Sequence, residues 1–94
     1  MKGLSKEHID IIEQVLSKTF PSLIITVTAT YDPLNFRYII YVNCRDIYAV
    51  FMPNYFTIPI FVIETMEFNI DTIKKIVEEA TKAIKAEHRM EDRK

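Results

Sequence analysis

The side chains that most often carry chemistry are few in this chain, and they lie far apart. The histidines are His8 and His88, and the single thiol belongs to Cys44. Neither histidine has a cysteine, a histidine or a carboxylate at a spacing typical of a zinc site. Arg45 could lower the pKa of the neighbouring Cys44 thiol, but no histidine stands near it in sequence to act as a base, so we expect Cys44 to be a packing residue at the end of a strand. The pattern predicts neither a metal site nor a catalytic nucleophile.

Acidic side chains could do acid–base work if two of them were held together. Glu64 and Glu67 stand at the end of a predicted strand, and Asp32 and Asp46 lie in predicted loops. No spacing among them forces two carboxylates into contact. The only glycine is Gly3, which excludes a glycine-rich phosphate loop. We therefore predict a protein that is not an enzyme and needs no cofactor.

The composition is that of one small globular domain. The 94 residues are 49% hydrophobic and 27% charged, and the net charge of −1 gives no overall field to hold a polyanion. No apolar run reaches the length of about 18 residues that suggests a membrane span. The charged start lacks a secretory signal, so we expect a cytoplasmic protein, in the host cytoplasm if the gene is viral. Abundant Ile, Tyr, Lys and Glu favour a thermophilic source, archaeal or viral.

Two amphipathic helices are predicted at the ends of residues 1–94, which form a single domain. The first helix covers Lys6–Thr19, where apolar residues recur at helical spacing, and Ser5 is its expected N-cap. The second begins after the N-cap Asn69 and is expected to fray near His88. Residues 89–94 then form a flexible tail.

A hairpin follows the first helix. Alternating threonines and apolar residues predict a half-buried strand over Leu23–Tyr31, and a second strand covers Phe36–Asn43. Between them, Asp32–Asn35 has the residues of a turn. This loop length pairs Ala29 with Tyr38, Val27 with Ile40 and Ile25 with Val42, so that apolar residues oppose each other on one face.

Two further strands are predicted. One covers Ile47–Met52, with its register left open between a two-residue and a three-residue connection. The other covers Ile58–Met66 and is apolar on both sides. The loop between them holds Tyr55 and Phe56, which either contact a partner or plug one end of the core.

The predicted fold class is α+β, with two layers in the order αββββα. Both helices cover one face of a four-stranded antiparallel sheet. In the last strand, Glu64 should avoid the core, which turns Phe61 and Ile63 inward. The opposite side of that strand then belongs to the second face of the sheet, away from the helices.

That second face is predicted to be too apolar to stay in water. Its extent is about 440 Å² in plan for four strands, near the limit of what monomers expose. We predict that the chain forms a homodimer through it. The alternatives are a solvated face, because threonines and Arg37 also lie there, and a bound partner protein or ligand. The expected interface residues are Ile24, Arg37, Ile39, Tyr41, Tyr48, Val50, Met52, Ile58, Ile60 and Val62.

The function expected from these features is that of a small interaction module: a regulator, inhibitor or assembly component without chemistry of its own. One alternative is nucleic-acid binding, with bases stacked on Tyr41 and Tyr48 beside Arg37 and Arg45. The element order is similar to that of double-stranded-RNA-binding domains, but those have one strand fewer, and they begin their second helix with lysines after a glycine-bearing loop. Here Asn69–Thr72 is acidic. An enzyme with an unrecognised site is the remaining alternative.

Overall fold

The fold is a three-stranded antiparallel sheet with two helices. The computed structural model describes residues 4–46, 55–63 and 69–92, with side chains up to residue 87. Along the chain, the elements are α1 (Lys6–Thr19), β1 (Leu23–Asp32), β2 (Arg37–Asp46), β3 (Tyr55–Ile63) and α2 (Ile70–Asp92). The strands lie in the order β1-β2-β3, so β2 is central and the other two are edges.

The prediction of four strands is wrong. β2 pairs directly with β3, with Cys44 opposite Phe56, so no other strand lies between them in the sheet. β2 continues past the predicted end to Asp46, and β3 starts at Tyr55, so residues assigned to a loop belong to a strand. The predicted strand Ile47–Met52 falls outside the described residues.

The hairpin of β1 and β2 forms with a register two residues away from the predicted one. Asp32 pairs with Arg37 and Ala29 with Ile40, where the prediction paired Ala29 with Tyr38. The turn occupies residues 33–36, and Phe36 adopts a positive φ of 51° there. A shift of two residues leaves every side chain on its predicted face, because side chains alternate with a period of two.

Both helix starts are capped by side chains, as predicted. The Ser5 hydroxyl accepts from the backbone N–H of His8, and the Nδ1 atom of His8 accepts from the backbone N–H of Ser5 at 3.1 Å. At α2, the side-chain oxygen of Asn69 accepts from the backbone N–H of Thr72 at 3.0 Å. α2 runs on to Asp92, beyond its predicted end near His88.

The core lies between the helices and one face of the sheet, which confirms that both helices cover the same face. Ile12 and Leu16 of α1 and Ile84 of α2 are fully buried against the strands. Each such side chain contributes about 1.5–3 kcal/mol through burial. The remaining buried members of the core are Leu23, Ile25, Val27, Ile40, Val42, Cys44, Ile58, Ile60, Val62, Ile73, Ile76 and Ala80. In the described part of the chain, neither helix is long and apolar enough to cross a membrane.

Candidate functional site

The face of the sheet that points away from both helices is the candidate site, and we refer to it as the open face. Because side chains alternate along a strand, it takes every second residue of each strand. No described helix or strand packs on it. Its members are Ile24, Thr26, Thr28, Thr30 and Asp32 on β1, Arg37, Ile39, Tyr41, Asn43 and Arg45 on β2, and Tyr55, Thr57, Pro59, Phe61 and Ile63 on β3.

The apolar part of the open face follows β3. Tyr55, Phe61 and Ile63 are 64%, 53% and 61% exposed, and Ile39 of the central strand lies half-buried opposite Phe61. On β1, by contrast, Ile24 is the exposed apolar member, and the rest of the strand presents threonines and Asp32. The open face is therefore apolar along one edge and polar along the other.

The predicted orientation of the last strand is wrong. Ile58, Ile60 and Val62 were expected on the second face, but all three are buried in the core, and Phe61 and Ile63 are exposed instead of inward. Paired residues of neighbouring strands share a face, and Ile60 lies opposite the buried Ile40. This pairing decides the orientation of β3, and the Glu64 used as a guide falls outside the described residues.

The other predicted interface residues have mixed outcomes. Ile24, Arg37, Ile39 and Tyr41 lie on the open face as predicted, although their role in an interface stays a prediction. The predictions for Tyr48, Val50 and Met52 fall outside the described residues.

The two aromatic residues that were assigned to a partner loop point to opposite sides of β3. Tyr55 lies exposed on the open face. Phe56 is partly buried and packs against the core. The two proposed roles, partner contact and core plug, therefore suit different members of this pair.

A row of polar side chains crosses the open face and is hydrogen-bonded within itself. Thr26, Asn43 and Thr57 lie opposite one another on the three strands. The amide nitrogen of Asn43 donates to the Thr26 carbonyl at 3.1 Å and to the Thr28 hydroxyl at 3.5 Å. The Thr57 hydroxyl donates to the Asn43 amide oxygen at 3.0 Å. The Asn43 amide and the Thr57 hydroxyl are thus hydrogen-bonded within the sheet.

The arginines of the open face are held against neighbouring side chains. The Nε atom of Arg37 donates to Asp32 at 3.1 Å, and its guanidinium carbon lies 4.2 Å from the Phe61 ring centroid, a cation–π contact. The Arg45 guanidinium lies 5.7 Å from the Tyr55 ring. The pKa of Asp32 is lowered, mainly by the hydrogen bond from Asn35 and also by Arg37.

Cys44 is less reactive than its sequence neighbour suggested. Burial raises the pKa of its thiol to about 11. Arg45 does not lower this pKa, because the two side chains lie on opposite faces of β2: Arg45 is exposed, and Cys44 packs in the core, the role expected from the sequence. Among the residues the structure describes, no group of three or more His, Cys, Asp or Glu side chains could hold a metal ion.

Sequence reasoning missed two residues near this sheet. Glu13 of α1 accepts a hydrogen bond from the backbone N–H of Val27 at 2.9 Å. Its position on a charged helix face gave no signal of this role. Phe36 adopts its left-handed conformation at the tip of the hairpin with 67% of its side chain exposed. No sequence pattern distinguishes this phenylalanine from a strand residue.

Comparison of the chain with known protein families, with curated proteins and with solved structures finds no match.

Proposed function

We propose that this protein is a small interaction module that forms a homodimer through its open face and acts as a regulator, inhibitor or assembly component, without chemistry of its own. One observation carries the proposal: Phe61 and Ile63 expose large apolar side chains next to each other on a face that no described element covers, and Tyr55 exposes a third at the other end of the same strand. Exposed apolar patches of this kind are typical of protein interaction sites.

The polar groups of the open face favour association over solvation. A buried polar group costs free energy unless it keeps a hydrogen-bond partner. Asn43 and Thr57 bond to each other, and Arg37 bonds to Asp32 within the same chain. A partner could cover these groups without leaving them unpaired. Arg45 lies in the end row of the face, between Ile24 and Tyr55, where an interface rim stays wet.

The size of the face also fits. Three strands of about nine residues give roughly 430 Å² in plan, about half of the ~800 Å² that each partner contributes to a standard interface. The hairpin tip enlarges it, because Leu34 is 87% exposed there and Phe36 lies beside it. A bulky aromatic residue at positive φ costs about 1–2 kcal/mol, and burying the exposed Phe36 ring in a contact would offset that cost.

Nucleic-acid binding is less well supported. Arg37, which would contact a base or a phosphate, is already engaged by Asp32 and Phe61, and Tyr41 is half-buried. The three-strand order removes one difference from double-stranded-RNA-binding domains, but the acidic Asp71 in the first turn of α2 remains. A cytoplasmic location belongs to the same proposal, since a reducing compartment suits a lone thiol.

Sedimentation equilibrium of Phe61→Glu against Ile70→Glu tests the proposal. Both variants place a carboxylate at an exposed apolar position, but Ile70 is the first residue of α2, where a negative charge suits the helix dipole. We expect the wild type and Ile70→Glu to form dimers at about 10 μM, and Phe61→Glu to dissociate at least about 100-fold more readily, a loss of roughly 2.7 kcal/mol.

A monomeric wild type at about 1 mM would refute the homodimer, because a standard interface binds far more tightly than that. Equal dissociation constants for Phe61→Glu and wild type would move the interface elsewhere, for instance to Ile11 and Val15, which are exposed on α1. A single-stranded oligonucleotide that shifts the wild type but not Phe61→Glu would favour the nucleic-acid alternative.

A further inference from the structure

The outer edge of β1 is covered by α1 over only part of its length. The backbone N–H of Leu23 donates to the Phe20 carbonyl at 3.0 Å, and that of Val27 donates to Glu13 at 2.9 Å. Both N–H groups therefore point away from β2. Backbone groups alternate in direction along an antiparallel strand, so Ala29 must also direct its N–H and carbonyl outward.

Ala29 is where this cover ends. Its side chain is exposed, and within the described part of the chain no hydrogen bond reaches its outward N–H or carbonyl, nor the outward carbonyl of Val27. These three groups have the spacing with which a strand binds the backbone of another strand. Unpaired edge groups of this kind are templates for strand addition.

A cleft lies directly beside this edge. It encloses about 580 Å³ between the start of α1 and the end of β1. Leu4, Ile9 and Tyr38 line it and also pack against the core, whereas Lys6 and Asp10 on α1 give it a polar rim. A strand added at Ala29 would direct every second side chain towards this cleft, because paired residues share a face.

The opposite edge of the sheet is closed to such pairing. Pro59 lies in the middle of β3, opposite Tyr41. Since it has no N–H, it interrupts the row of outward donors on that edge, a common protection of edge strands. The two edges therefore differ, and only the β1 edge joins unpaired backbone groups to a cleft within the residues described.

A second copy of the chain does not suit this edge. Each copy carries its own α1, which covers β1 up to Val27, so two β1 strands could pair over only about four residues, or roughly 13 Å. A paired segment of that length buries far less surface than the ~800 Å² per partner of a standard interface. A peptide pairs with the same few residues of β1, but it brings no second helix to the edge, and one of its side chains can also enter the cleft.

We propose that the Val27–Ala29 edge and the adjoining cleft bind an extended peptide segment of another protein by strand addition, with an apolar side chain seated against Leu4 and Ile9. This surface is separate from the open face. Main-chain hydrogen bonds supply affinity in this mode, and the cleft supplies selectivity for the side chain that enters it.

The test uses capped pentapeptides of the form Lys-Thr-Xaa-Thr-Lys, with Ala, Val, Leu or Phe at the centre, followed by the backbone amide shifts of ¹⁵N-labelled protein. We expect at least one peptide to bind with a dissociation constant of about 10–500 μM, with shifts centred on Ala29. Methylating the central peptide nitrogen should abolish binding, whereas methylating the next nitrogen, which faces away from β1, should leave it within about threefold.

Ala29→Pro removes the N–H in question and should weaken binding at least about tenfold, as Pro59 is tolerated on the other edge. Ala29→Lys keeps the N–H but places a charge over the cleft, so it should weaken binding without unfolding the protein. This variant tests the proposal even if the proline variant unfolds. Thr30→Val, on the open face, serves as the control and should bind as the wild type does.

Several results would overturn the proposal. One is the absence of binding by all four peptides at about 2 mM, and another is equal binding by Ala29→Lys and wild type. Shifts that centre on Phe61 would place the peptide on the open face instead. Amide shifts at Ala29 that follow protein concentration without any peptide would make a second copy the occupant. None of these results depends on the homodimer proposed above.

Discussion

At the end of β3, residues 60–63 are apolar on both sides of the strand, but the two sides have opposite environments. Ile60 is 4% exposed and packs in the core, whereas Phe61, the next residue, is 53% exposed on the open face. The same contrast separates Val62 from Ile63. One side of this strand is apolar because it is buried in the core. No described part of the chain buries the apolar residues of the other side.

This difference indicates that an apolar strand can serve two contacts, of which only one lies within the chain. A strand buried on both faces is normally a near-continuous apolar run, and β3 has that composition. Because α1 and α2 both pack on the same face of the sheet, none of the residues that the structure describes covers the second side of β3. We infer that association supplies the missing layer.

The largest effect expected from this comparison concerns stability. Ile60→Ala should lower the free energy of unfolding by about 2–5 kcal/mol, because it leaves a cavity in a closed core. Phe61→Ala should change it by less than about 0.5 kcal/mol in the monomer. Urea unfolding at the lowest protein concentration that fluorescence allows keeps the contribution of association small. Comparable losses in both variants would show that Phe61 belongs to the core.

The contrast also explains what the sequence could and could not predict. The bounds of α1, the start of α2, both caps and the faces of β1 and β2 follow from local pattern, because a helix period or a threonine alternation leaves one solution. β3 has apolar residues on both sides, so its own pattern does not say which side is inward. The pairing of Ile60 with Ile40 decides it, and that pairing is not local.

Three smaller misses have other causes. The turn at residues 33–36 depends on Phe36 taking a positive φ, which is uncommon for a bulky residue, so the sequence favoured a turn one residue earlier. The capping role of His8 was missed, because a capping box normally has Glu or Gln at this position. The hydrogen bond of Glu13 was missed because its partner, Val27, lies 14 residues away.

The reactivity of a thiol on each face of the sheet can be compared, because Cys44 lies on the core side and a second cysteine can be introduced on the open face. Burial raises the pKa of Cys44 from 9.0 to about 11. This difference of two units corresponds to about 100-fold less thiolate near neutral pH. At pH 8, Cys44 should therefore react with a disulfide reagent at least about 100-fold more slowly than a cysteine placed at exposed Thr30 in a Cys44→Ala background.

The same thiol gives a pH test with a defined sign. The native state holds the Cys44 proton more tightly than the unfolded state, so its contribution to stability is complete below pH 9.0 and is lost as the pH rises through about 11. The urea midpoint of the wild type should fall over this range more than that of Cys44→Ala. Cys44 would lie outside the core if its thiol reacted at pH 8 as fast as the introduced cysteine, or if the urea midpoints of wild type and Cys44→Ala changed equally with pH.

A smaller effect is expected at the hairpin tip. Phe36→Gly relieves a positive φ of 51° and should raise monomer stability by about 0.5 kcal/mol, the left-handed cost less the added chain entropy. It should also weaken dimerisation by removing an exposed ring. For stability, Leu34→Ala is the matched control, since it truncates an exposed side chain of the same tip without changing a strained residue. If Phe36→Gly left dimerisation unchanged, the tip would lie outside the interface.

Homodimerisation through the open face is tested most directly by intermolecular nuclear Overhauser effects in a dimer mixed from labelled and unlabelled protein. We expect cross-peaks between copies from the Phe61 ring and the Ile63 and Ile39 methyl groups, because these side chains form the apolar part of the open face. Cross-peaks confined to Ile11 and Val15 of α1, or none in a protein that stays monomeric at about 1 mM, would contradict it.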